Sequence, residues 1–188
     1  RFVTAPQARD NDQKGLAATA RYDQERFYVS GSVGQRKSEA RYAGSLYEPF
    51  DTTTYSYFVS WFVAHPVELQ VGGSRGPVPS VSIAENYYLE TRNFAALNVT
   101  LGQRFVLRGY GSLGTNAYSG AIGATPGTPK RNDDVTDYGV GASIYVARAV
   151  SLTPMLSRYR TDSHYVGADR TINRLYVNLV VDFGLETK

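Results

Sequence analysis

Cysteine is absent, and methionine and tryptophan occur once each in 188 residues. No disulfide framework and no thiolate metal site can therefore be built from this chain. Histidine is nearly as scarce, with two copies. No apolar run reaches the ~18 to 20 residues that a membrane-crossing helix needs. Charge of one sign is lacking too: 20 Lys and Arg stand against 17 Asp and Glu, a formal net charge of +3, and the basic residues are scattered. Without a basic stripe interleaved with aromatics, nucleic acid is not an expected partner. The chain opens on Arg1 with no secretory signal, so either a signal has been removed or this is a fragment of something longer.

What is abundant is tyrosine and glycine, 15 and 18 copies, which suits tightly packed strands better than helix bundles. The stretch GVGASIYVARAVSLTPMLSRYRTDS (139–163) shows the governing pattern. Val140, Ala142, Ile144 and Val146 alternate with Gly141, Ser143 and Tyr145, and after a break at Arg148 the alternation resumes. A period of two means extended strand with alternate residues on opposite faces. The same pattern predicts nine strands, at 15–22, 26–36, 53–63, 66–74, 86–101, 104–114, 136–147, 149–160 and 173–183. Tight turns at 23–26, 64–66, 102–104 and 147–149 alternate with longer polar segments at 37–52, 75–85, 115–135 and 161–172. Short turns at one end and long loops at the other describe an up-and-down meander of outer-membrane β-barrel type, in a single domain spanning 1–188.

The faces of the strands support that reading. In RLYVNLVVDF, Leu175, Val177, Leu179, Val181 and Phe183 share one side, and Arg174, Tyr176, Asn178, Val180 and Asp182 the other. On the apolar side, Tyr22, Phe27, Phe105 and Phe183 fall near the short turns, and Tyr55, Tyr57, Tyr87 and Tyr138 near the long loops, with aliphatics between. Two aromatic girdles around an aliphatic band match the two interfaces of a bilayer. The apolar side is then expected to face outer-membrane lipid. A soluble β-sandwich or lipocalin-like barrel is the alternative.

The chain resembles bacterial outer-membrane β-barrels, and more loosely the porin families found beside exopolysaccharide-export genes. The resemblance rests on hairpin 136–160, the loop TDSHYVGADRTIN and the closing strand RLYVNLVVDF. It implies a last strand ending on an aromatic residue read by the assembly machinery. Phe183 fits that role, although Gly184 to Lys188 follow it. Bacterial single-chain barrels have an even strand count, so nine predicted strands leave one ascending strand to find. Ten strands are expected, with residues 1–12 as a poor tenth; eight strands, or lost upstream sequence that would make this the C-terminal part of a larger barrel, are the alternatives.

Candidate chemistry is thin. GYGSLG (109–114) spells the dinucleotide fingerprint G-x-G-x-x-G, but that motif must follow a strand and open a helix. Here it sits in or at the end of a strand, where glycines relieve crowding. His65 lies in a tight turn, and His164, near Asp162 and Ser163, reads as a plain loop histidine, so no catalytic residues, cofactor or metal are expected. Asp133, Asp134, Asp162 and Asp169 could hold a divalent cation at the lipopolysaccharide surface, a solvated loop being the commoner reading. Arg158 and Arg160 have lipid-facing parity and could pair with lipopolysaccharide phosphates, unless a bulge after Pro154 turns them inward. The inward charges are Arg21, Arg36, Glu68, Glu90, Arg92, Arg108, Arg174 and Asp182, joined by inward Tyr28, Tyr88, Tyr110, Tyr145 and Tyr176. Five arginines against three acids would tilt a hydrated lumen toward anions.

The expected function is a small porin-like channel of the outer membrane with an arginine-leaning lumen and no catalysis. The alternative is a non-conducting barrel that presents loops 37–52 and 115–135 to a protein or polysaccharide partner.

Overall fold

The computed structural model describes residues 11–40, 49–80, 87–120, 130–147, 149–165 and 167–181. Nine strands run through them: β1 (Asn11–Gln24), β2 (Phe27–Ala40), β3 (Phe50–Ala64), β4 (Val67–Pro79), β5 (Tyr87–Leu101), β6 (Phe105–Tyr118), β7 (Asn132–Ala147), β8 (Val150–Ser163) and β9 (Arg170–Val181). Each is antiparallel to the next, in one sheet of order β1 to β9. No helix occurs among the described residues. Every strand expected from period two is present, but most run further than expected into the long-loop side. Residues 37–40, 50–52, 115–118 and 132–135 are strand rather than loop. There most side chains on both faces are polar, Phe50 and Val135 on the sheltered face excepted, so the hydrophobic alternation fades while the backbone ladder continues.

The short connections are as tight as their chemistry allows. Gly102, at φ +63°, supplies the left-handed residue between β5 and β6. Register shifts next to two of these turns, between Phe62 and Ala64 and between Tyr145 and Ala147, are bulges that let the hairpins close.

Pairing sorts the sheet into two faces, because cross-strand partners share a side. One row of partners reads Phe27, Trp61, Leu69, Leu97, Gly109, Val140, Leu156, Leu175. Another reads Thr19, Ser32, Ser56, Ser74, Arg92, Gly114, Val135, Thr161, Arg170. The first belongs to an apolar face and the second to a polar one. Burial runs opposite to that of a soluble protein. Every buried non-glycine strand residue lies on the polar face: Ser38, Phe50, Ser60, Ala96, Asn116, Asp133, Val135, Ser157 and Thr161. The large exposed hydrophobics, from Leu16 and Trp61 through Leu113 and Val140 to Leu175 at 78% exposure, populate the apolar face. Exceptions on the polar face are few: Phe62 and Tyr145 stand beside short turns, and Tyr176 and Val180 are on the terminal strand β9. The polar face is thus the sheltered one.

Pro154, in the interior of β8, interrupts its ladder with β7: pairing lapses between Gly141–Met155 and Ile144–Leu152. Proline has no N–H to donate there. The hydroxyls of Ser143 and Thr153 meet at 2.9 Å in that gap. Pairing resumes in the same register, so Arg158 and Arg160 stay on the apolar face opposite Tyr138 and Thr136. The inward flip considered from the sequence does not occur.

The expected closed barrel of ten or eight strands is, among the described residues, an open sheet of nine. β1 and β9 run in the same direction, both toward the short-turn end, and so cannot close antiparallel on each other. Asn11 and Asp12, once expected to help form a tenth strand, are the first residues of β1 itself; residues 1–10 lie outside the described residues. The sheet is nonetheless staggered. The row that begins at Phe27, the first residue of β2, reaches Leu175 well inside β9. Such a stagger is what tilted strands need to close around an axis.

Candidate functional site

The polar face is the candidate site, and all seven described members of the expected inward charge set lie on it. Arg21, Arg36, Glu68, Glu90, Arg92, Arg108 and Arg174 all pair across to residues of that side. Asp182 lies outside the described residues. The inward tyrosines 28, 88, 110, 145 and 176 are there as well. On the other face stand Tyr22, Phe27, Tyr55, Tyr57, Tyr87, Phe105 and Tyr138, while Phe183 falls outside the described residues. Trp61, the cross-strand partner of Phe27, stands with it on the apolar face near the short turns, an aromatic that the sequence reading missed.

Three levels follow one another along the polar face. Nearest the short turns, Glu68 gathers donors: Ser60 at 2.6 Å, Gln70 at 2.8 Å and Asn98 at 2.9 Å. Arg108 is the cross-strand partner of Asn98. Arg21 pairs with Asp23 at 3.0 Å, and its guanidinium stands 5.0 Å from the Tyr28 ring centroid. A carboxylate with three donors is well compensated for being partly out of water.

The middle level is aromatic, which the sequence reading missed. Phe58, Gly72 and Phe94 form one row of the polar face. Their rings lie 6.3 Å apart, and Tyr28 approaches Phe58 at 5.8 Å. A Cβ on Gly72 would stand 2.5 Å from Phe94, so the glycine is what lets the two phenylalanines share the row. Each of them falls on the polar parity of its strand, a signal that was present in the sequence.

Toward the long loops the face is charged again. Arg92 reaches Glu90 at 3.3 Å, and its stem lies over Gly114, where a Cβ would come within 2.9 Å of the Arg92 Cδ. The Arg92 Nη1 and the Asn116 Oδ1 are buried without a hydrogen-bond partner. Beside them the fully buried Asp133 accepts two hydrogen bonds from Arg131, which also lies over the Tyr118 ring at 4.4 Å. Tyr118 in turn packs against Tyr88 at 5.2 Å.

The charge balance differs from expectation. Strand residues of the polar face include six arginines (Arg21, Arg36, Arg92, Arg108, Arg170, Arg174) and five acids (Asp23, Glu68, Glu90, Asp133, Asp137). The excess of five over three therefore shrinks to one. Asp23, Asp133 and Arg170 went uncounted because they lie at strand ends read as turn or loop; Asp137 lies within the expected strand 136–147, where its parity was legible and missed. The arginine lean survives in another form. Among the described residues Arg36, Arg108, Arg170 and Arg174 make no ion pair, four arginines against two acids, Glu68 and Asp137, that likewise make none.

The remaining candidates separate in space. Asp133 and Asp134 point to opposite faces; Asp162 pairs with Arg160 at 2.8 Å, and Asp169 accepts the Ser163 backbone N–H. No group able to hold a metal ion occurs among the described residues, so the four aspartates do not form the cation site considered above. His164 is exposed, with a ring nitrogen 3.2 Å from the Asn132 carbonyl oxygen. GYGSLG lies wholly inside β6 and opens no helix. On the apolar side beyond Tyr55, Lys37 lies 2.8 Å from Glu39 and holds its carboxyl below the ordinary carboxylate range, through the hydrogen bond first and the charge second. Neither a protein-family model nor a curated protein matches the chain.

Proposed function

We propose that the chain forms most of the wall of a bacterial outer-membrane β-barrel, apolar face to lipid, and that its polar face lines a narrow porin-like passage. One observation carries this reading: among the described residues those kept from solvent are Ser, Asn, Asp, Thr and Gly, with three hydrophobics, while Leu, Val, Tyr, Phe and Trp cover the exposed face. Water gives no reason for that inversion, whereas a bilayer does. Strands of 12 to 16 residues exceed the ~9 to 11 needed to cross at a tilt. The free edges of β1 and β9 cannot remain unpaired in hydrocarbon. An ascending strand antiparallel to both closes the barrel and restores an even count.

Within the passage, Arg36, Arg108, Arg170 and Arg174, without an ion pair among the described residues, favour anions. The test is single-channel conductance in a planar bilayer, on protein whose folding is verified by heat-shifted gel mobility. Stable steps with a modest anion preference, weakened in Arg92→Ala and Arg108→Ala, are expected. Steps with unaltered selectivity in both variants would remove the arginines from the role of filter. A second reading, a non-conducting barrel acting through its loops, is favoured by the Phe58–Phe94 row, since an apolar constriction can exclude water. Folded protein without conductance would select it.

A further inference from the structure

The glycines of GYGSLG divide by face, and those of the apolar face are unexplained by packing. Gly114 lies on the polar face, where a Cβ would stand 2.1 Å from the Thr91 carbonyl oxygen. At Gly109 and Gly111, on the apolar face, a Cβ would meet nothing within 4 Å. No neighbour requires these two positions to be bare. Beside Gly109 the missing side chain leaves a trough in the surface of the apolar face; Gly111 borders a separate hollow next to Leu113. The lower part of the trough, ≈ 600 Å³, runs between Leu97, Leu107 and Pro154; its upper part, ≈ 510 Å³, runs past Tyr138 to Arg158 and Asn173. Gly109, Val140 and Leu156 line both parts, so the two are continuous along the strand direction.

The trough is amphipathic end to end. Its walls are aliphatic, and at the long-loop end stands Arg158, exposed and without an ion pair among the described residues. Its neighbour Arg160 is already committed to Asp162 at 2.8 Å. An unpaired guanidinium at the head of an apolar channel matches a ligand that is an alkyl chain below and an oxyanion above. In a bilayer, burying another alkyl chain yields little by itself, because lipid is as apolar as leucine. Discrimination must come from the headgroup, and guanidinium binds phosphate with two parallel donors.

We propose that this trough is a binding site for lipopolysaccharide, one acyl chain lying over Gly109 and between Val140 and Leu156, and a phosphate held by Arg158. The inference rests on the outer-membrane reading, which puts the long-loop end in the external leaflet. The test is native mass spectrometry of detergent-extracted protein titrated with lipopolysaccharide, and in parallel with phosphatidylglycerol. The variants are Arg158→Gln, Arg158→Lys and Gly109→Leu, each verified by heat-shifted mobility. Gly109→Leu fills the trough where space is open, so the fold is preserved. Lipopolysaccharide is expected to bind the unaltered chain preferentially, and Arg158→Gln and Gly109→Leu each to weaken it by at least about fivefold, the loss of one charge-assisted contact or of the chain's seat. Arg158→Lys should restore part of the affinity lost in Arg158→Gln. Smaller losses in folded variants, or equal binding of phosphatidylglycerol, overturn the site while leaving the barrel intact. A chain that neither shifts on heating nor inserts into bilayers overturns the barrel and the site together.

Discussion

Glycine illustrates how much a single residue's meaning depends on the face it occupies. Gly109 and Gly114 are five positions apart in one strand and look alike in sequence, yet one borders open space and the other a cross-strand carbonyl. Gly114→Ala is therefore expected to lower stability by roughly 1 to 3 kcal/mol, the usual cost of overpacking. Gly109→Ala should stay within about 0.5 kcal/mol. Urea unfolding of the detergent-folded protein, followed by tryptophan emission from Trp61, compares the two; equal midpoints would mean that the β5–β6 ladder relaxes around the new methyl. Arg92 shows the same dependence. Its inward parity is legible in ETRNFAALN, but the buried, unpartnered nitrogen exists only because Gly114 lets the stem lie flat.

At the scale of strands, the alternation that marks them is local, which is why all nine could be read from sequence. Their ends could not, because beyond Tyr55 and Tyr138 the apolar face turns polar, leaving Phe50 and Val135 on the sheltered face as isolated hydrophobics, while backbone pairing goes on. Hairpins and register bring Phe58 and Phe94, 36 positions apart in sequence, to 6.3 Å, either side of Gly72. If that row is the narrowest part of the passage, Phe94→Ala should enlarge the single-channel steps without altering ion preference, since no charge is changed. Unchanged steps would place the constriction elsewhere. The Glu68 network belongs to this scale too: Ser60, Gln70 and Asn98 come from three consecutive strands and converge only once β3, β4 and β5 are in register.

For the whole molecule, direction decides closure. β1 and β9 descend together, so a barrel with one ascending strand between them holds their backbones about 10 Å apart, twice the strand spacing. Ala18→Cys with Val177→Cys, both outward-facing and mid-strand, tests this in a chain that has no other cysteine. A cross-linker of about 10 Å should join them within one molecule of the bilayer-inserted protein. Failure to join, in inserted protein, would indicate a wider barrel with more strands between the edges. Legible in the residues alone were the all-β meander, its two faces, the aromatics that share the apolar face and the polar-face parity of Arg21, Glu68, Arg92 and Arg108, because each follows from a two-residue period and turn residues close by. The three-dimensional arrangement was needed to show which face is sheltered, which charges are paired, that the edges of β1 and β9 stay open among the described residues, and that Gly109 borders a trough ending at Arg158. Those depend on partners brought together by register across strands, and a periodic pattern read along one strand carries no information about its neighbour's register.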